Sequence, residues 1–268
     1  MRLTSLYRSV APWHMAALWM WTAFVIVGVS TSFSHGLHSG VRGALAVLIA
    51  WAITRELAPR RGVASFLAPF TAVAFAIPAD TDLLACVAVL LAARIATRSV
   101  GDPPTAIDGV LMVLFAAWAA TRLAGLPAAI VLAAILFDQA PPRRLRFAGA
   151  AALAVALLVG AVEGTLTLRF GWHHARLPKE LLVGLAAFAG LLLVLKPLPR
   201  FLRVRDDRRR GHLHGGRVRA ARIAVVAAVA AAVAWMGIDG AFALSSASAA
   251  LVAAAFGGIG QRSGTISP

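Results

Sequence analysis

Apolar residues in this chain run in long stretches, broken by short turns rich in arginine, proline and glycine. A membrane-crossing helix needs about 20 apolar residues, within a range of about 17–25. On that measure the chain predicts ten spans, near 14–33, 41–57, 62–78, 82–97, 106–122, 125–138, 147–163, 180–197, 221–238 and 241–258. The fourth and sixth are short, and only Asp239-Gly240 separates the last two. Continuous runs such as Phe147–Gly160 lack the apolar/polar alternation of barrel strands. Isolated strands in lipid would leave backbone groups unpaired. The expected fold is all-α: a polytopic membrane helix bundle forming one transmembrane domain over 1–268. A basic cytoplasmic loop, 197–221, joins spans eight and nine.

Composition agrees with that pattern. Hydrophobic residues make up 60% of the chain and charged ones 14%, where a soluble domain carries about 25% charge. In water, 268 residues could not bury so much apolar surface. The net charge of +15 sits in short gaps between apolar runs. A nucleic-acid binder would gather it on a soluble face, so that class is excluded. Arg2 and Arg8 precede the first apolar stretch like the start of a signal peptide. The stretch is too long and no A-x-A site follows, so it reads as an uncleaved first span. The single cysteine, Cys86, lies in an apolar run and forms no intrachain disulfide.

Charge also orients the chain, because basic residues accumulate on the cytoplasmic side. With a cytoplasmic N-terminus, 21 of the 26 lysines and arginines fall inside. Arg42, Arg122, Arg169, Arg176 and Lys179 remain outside. Both termini are then cytoplasmic, in a multi-pass protein of a cell membrane, most simply a bacterial inner membrane. The turns Ala58-Pro59-Arg60-Arg61, Asp102-Pro103-Pro104 and Ala140-Pro141-Pro142-Arg143-Arg144 form a weak repeat. Proline ends a helix there and arginine holds the turn at the headgroups. In the long loop, Arg208, Arg209 and Arg210 are expected lipid-headgroup contacts, which makes membrane lipid the first expected partner.

Topology sorts the reactive side chains. His35, His38, Asp80, Asp82, Glu163, His173 and His174 all fall at the outer face and form a candidate polar site. Histidines and carboxylates from separate loops can act as acid and base, or share an ion. No metal site and no cofactor follow from their spacing. Asp80-Thr81-Asp82 resembles the paired acids of membrane glycosyltransferases, but helix N-capping by Asp80 or Asp82 accounts for it as well. Arg94, Asp108 and Glu163 are candidate intramembrane charges, and such charges point to function by default. Asp108 follows Pro103-Pro104-Thr105 and could cap the fifth span. The run Ser30-Thr31-Ser32 could line an outer vestibule or form a frayed helix end. P-loop, G-x-S-x-G, C-x-x-C and H-E-x-x-H motifs are absent from the sequence.

Ten short helices with both ends inside resemble small secondary transporters such as the drug/metabolite superfamily, in span count, length and termini. That resemblance implies a small-molecule permease with two inversely oriented halves of five spans. One rival is a membrane enzyme acting on a lipid or lipid-linked substrate at the outer face. Another is a non-catalytic assembly subunit. A transporter needs polar groups near mid-membrane, whereas the enzyme needs them at the outer rim.

Single-cysteine labelling tests the orientation. Positions 207 and both termini should react only from the cytoplasmic side, and positions 37, 80 and 172 only from outside. Labelling of position 207 from outside would overturn it.

Overall fold

The computed structural model describes residues 15–59, 62–76, 81–98, 105–139, 143–163, 177–196, 198, 201–205 and 212–257. These residues build a bundle of helices: α1 (Met15–His35), α2 (Leu37–Leu57), α3 (Gly62–Ala76), α4 (Leu83–Thr97), α5 (Ala106–Ala120), α6 (Gly125–Gln139), α7 (Arg143–Val162) and α8 (Leu177–Leu195). Two short strands follow, β1 (Phe201–Arg205) and β2 (His212–His214), and then α9 (Gly215–Met236), α10 (Ile238–Ala243) and α11 (Ser245–Phe256). Each of the ten apolar segments contains helix. Among the described residues, helices α2 and α9 are long and apolar enough to cross a membrane, and seven further apolar helical stretches are shorter.

Three features differ from the sequence expectation. The tenth segment is not one helix; it breaks at Leu244 into α10 and α11. The basic loop is not featureless, because β1 and β2 pair antiparallel across it. Several helices also run past the predicted spans. Helix α9 starts at Gly215, not 221, and α7 at Arg143, not 147. A hydropathy boundary stops at the first charge, but backbone hydrogen bonding does not. Arginines in a first turn can extend their heads outward and leave the helix intact.

Alanine dominates the interior. Helices α2, α4, α6, α9 and α11 meet through Ala52, Ala88, Ala92, Ala93, Ala128, Ala129, Ala228, Ala247 and Ala250, all buried. Small side chains let backbones approach closely, so dispersion between helices replaces interdigitating bulk. The outward faces of α1, α5, α7 and α8 are apolar instead: Val25, Ile26, Val110, Leu114, Trp118, Leu158, Leu181, Leu191 and Leu195 are exposed.

Direction alternates along the bundle. Thr97 meets Glu56, which puts the ends of α2 and α4 together. Arg222 brings the start of α9 to the ends of α2 and α8. We call this the basic end. At the far end, Thr81 before α4 meets Ser245, and Lys179 at the start of α8 meets Asp239. Gly237 alone connects α9 to α10, at φ 69 and ψ −149, a conformation that suits only glycine. A Cβ on Gly240 would run into the Ala232 carbonyl and come within 2.9 Å of the Val233 nitrogen.

Gly237→Ala and Gly240→Ala should each destabilise the bundle by about 1–3 kcal/mol, through backbone strain and overpacking. Gly184 in α8 has open space beside it. Gly184→Ala should therefore be neutral or raise stability by up to about 1 kcal/mol from helix propensity alone. Thermal unfolding in detergent ranks the three; equal effects would refute the packing argument.

Candidate functional site

Polar groups inside an apolar bundle must find partners, so the buried ones mark where the chain departs from simple packing. Among the described residues, all but Thr31 of α1 gather in two places: the break in the tenth segment, and the basic end.

At the break, the helical ladder is interrupted around Leu244 and carbonyls are freed. Ser248 Oγ donates to the Ala241 carbonyl at 2.9 Å. The Asp82 backbone N–H donates to the Ala243 carbonyl at 2.9 Å, and the Cys86 thiol lies 3.7 Å from the same oxygen. Thr81 and Ser245 share a hydroxyl–hydroxyl bond of 2.7 Å. Ser246 Oγ donates to the Ala46 carbonyl at 2.9 Å. Ala46 lies midway along α2, about 14 Å by helix rise from Leu37 and about 16 Å from Leu57. Thr71, two residues after Pro69 within α3, donates to the Ala249 carbonyl at 3.1 Å. Residues 240–254 are buried throughout. A hydroxyl-lined helix break therefore sits level with the middle of α2 and with the first turn of α4, walled by α2, α3, α4 and α11.

At the basic end, Glu56 is 1% exposed. Its carboxylate accepts from Thr97 Oγ1 at 2.8 Å and faces Arg94 Nε at 3.6 Å. Arg222, 2% exposed, donates Nε–H to the Leu57 carbonyl at 3.0 Å and Nη1–H to the Leu193 carbonyl at 3.2 Å. Asp108 is fully buried and closes a capping box with Thr105: each side chain accepts from the other residue's backbone N–H, at 2.7 and 3.2 Å. Arg98 ends α4 in the left-handed region, at φ 49. Burial, and then the nearby Arg217, lower its guanidinium pKa from the ordinary value.

The outer-face candidates of the sequence are placed as follows. Asp82 caps α4, accepting from the Ala85 N–H at 3.1 Å. His38 is exposed in the first turn of α2, and Glu163 is exposed just past α7. His35 is the last residue of α1. Asp80, His173 and His174 lie outside the described residues, as do Arg208, Arg209 and Arg210. Among the described residues, no three His, Cys, Asp or Glu side chains gather closely enough to hold a metal ion. Ser30, Thr31 and Ser32 bond back to carbonyls of their own helix. Arg94 finds Glu56, which sits at the end of the second apolar span and carries no signal of its own in the sequence. The buried hydroxyls had a visible signal in Ser245-Ser246-Ala247-Ser248, within an otherwise alanine-rich run.

Arg222→Met should lower stability by about 2–5 kcal/mol, because two helix-end carbonyls lose their donor in a buried setting. Exposed Arg219, on the same helix, should tolerate the same change within about 0.5 kcal/mol. Unfolding midpoints of the two variants in one detergent make the comparison, and a wild-type midpoint for Arg222→Met would dismiss the clamp. Comparison of the chain with protein-family models, with curated proteins and with solved structures finds no match.

Proposed function

We propose that this chain is a multi-pass protein of a cell membrane, crossing it ten times with both termini cytoplasmic, and that it works as a permease for a small solute. The exposed aliphatic faces of α1, α5, α7 and α8 support the membrane reading. Water tolerates contiguous apolar patches of only a few hundred Å², and lipid removes that limit. Alternation of helix ends between the basic end and the far end supports an up-and-down path. The 15-residue helices α3 to α6 rise only about 22 Å, less than the hydrocarbon thickness. Flanking turns and local thinning would make up the difference.

One observation carries the permease reading: the buried break between α10 and α11, level with the middle of α2 and the first turn of α4. Secondary transporters place their solute sites where a helix is interrupted near the bilayer centre, since irregular backbone is tolerated only inside the protein. The first turn of α11 turns the positive end of its dipole toward the break. A small solute with a carboxylate or another strong acceptor suits such a site. In the conformation seen here, the hydroxyls of Thr81, Ser245, Ser246 and Ser248 bond to protein. An alternating-access cycle would exchange those bonds for bonds to the solute. The enzyme reading needs outer histidines and acids to converge; Asp82 caps a helix, and His38 and Glu163 face outward.

The test begins with purified protein and a panel of amino acids, organic acids, sugars and nucleosides. At least one should raise the unfolding temperature, as a ligand binding only the folded state must. The same solute, radiolabelled, should then exchange into preloaded proteoliposomes. Ser246→Ala should slow that exchange about tenfold, the equivalent of one hydrogen bond, without unfolding the protein. No stabilisation and no exchange across the panel would sink the reading.

A further inference from the structure

A cavity lies beside the helix break and shares Ala241 with it. Between α8 and α9 runs a cleft of about 670 Å³, lined only by valine, alanine, glycine and leucine. Val183, Ala186 and Gly190 form one wall, Val226 and Val233 the other, and Leu251 of α11 the floor. Along α8 it extends from Val183 to Val194, about 16 Å of helix rise. It exists because α8 packs chiefly against α11 and only loosely against α9. The small residues that elsewhere bring backbones together here line a gap, which narrows where Gly190 approaches Val226.

The mouth of the cleft is charged. Lys179 stands one helical turn before Val183, on the same face. Its ammonium lies 5.4 Å from the Phe242 ring centroid and 3.9 Å from Asp239 Oδ1. The Asp239 side chain is 66% exposed, and Glu180 beside Lys179 is exposed as well. One cation and two carboxylates thus surround an apolar slot. A purely anionic headgroup would meet a net negative rim. A quaternary ammonium would have no N–H to give the carboxylates.

We propose that this cleft binds one acyl chain of a phospholipid whose headgroup carries a phosphate and a primary ammonium. Lys179 takes the phosphate, and Asp239 and Glu180 accept from the ammonium, which offers three donors. Asp239 exchanges a long contact with Lys179 for this closer one. The chain lies along Val183–Val194 and covers apolar surface of both helices. The assignment rests on membrane placement but not on solute transport. Cysteine labelling tests the placement, and exchange assays test transport, so the three can fail separately.

Protein extracted from nanodiscs of equal parts phosphatidylethanolamine, phosphatidylglycerol and phosphatidylcholine is weighed by native mass spectrometry. Wild type should retain one phosphatidylethanolamine, favoured over either competitor by about tenfold. Ala230→Trp and Ala234→Trp each place a ring in the cleft from a different turn of α9 and should abolish retention. Lys179→Ala should reduce retention of all three lipids. Asp239→Asn combined with Glu180→Gln should shift the preference to phosphatidylglycerol, and this variant leaves the apolar walls intact. Four outcomes would overturn the proposal: retention in proportion to bulk composition, a wild-type preference for phosphatidylglycerol, retention insensitive to both tryptophans, or a dimer that forms as lipid is lost.

Discussion

Arg222 is a permanently charged group held at 2% exposure, and the basic end of the bundle is organised by the need to satisfy it. An uncompensated guanidinium at that depth would cost several kcal/mol. Its Nε and Nη1 donors meet the Leu57 and Leu193 carbonyls, at the last turns of α2 and α8. Helix C-termini carry partial negative charge and unpaired carbonyls, so one side chain completes two helix ends and is itself stabilised by both dipoles. The consecutive helices α8 and α9 and the sequence-distant α2 are thereby tied at one level. Glu56, next to Leu57, extends the tie to α4 through Thr97 and Arg94.

With that end fixed, the rest of the interior can be soft in chemistry and tight in geometry. Alanine offers little apolar area per residue, so the packing relies on close backbone approach more than on buried bulk. The arrangement tolerates poorly any added Cβ at the tightest points, such as Gly240 against Ala232, and leaves slack where approach is incomplete, as along α8 and α9. Slack and tightness come from the same residue types. What differs is whether a neighbouring helix is drawn in.

The interrupted tenth segment shows how carbonyls freed by a helix break inside an apolar bundle can be met by other donors. Carbonyls released near Leu244 are met by the Ser248 hydroxyl and the Asp82 N–H. Asp82 thus serves twice, its carboxylate capping α4 while its backbone N–H stabilises the break. A residue that caps a helix is already occupied, which removes the simplest reason to read it as catalytic. The hydroxyls at the break are chemically versatile, since each can donate to protein and still accept from a ligand.

The sequence by itself determined the ten apolar helical segments, their approximate limits and their all-α character, because length and continuous hydropathy are local properties of the chain. It also marked Asp82 and Asp108 as helix-cap candidates, since capping acts within three residues; at Asp108 the cap itself is Thr105 and the acid its partner. Tertiary structure alone decided which polar residues meet. Glu56 and Thr97 are 41 residues apart, Thr81 and Ser245 are 164, and Arg222 and Leu57 are 165. Those pairings carry no periodic or spacing signal in a single chain. The break at Leu244 was equally hidden. An apolar run reads as continuous helix unless a neighbour supplies the hydrogen bonds that let it stop, and here Ser248 and the α4 N-terminus supply them.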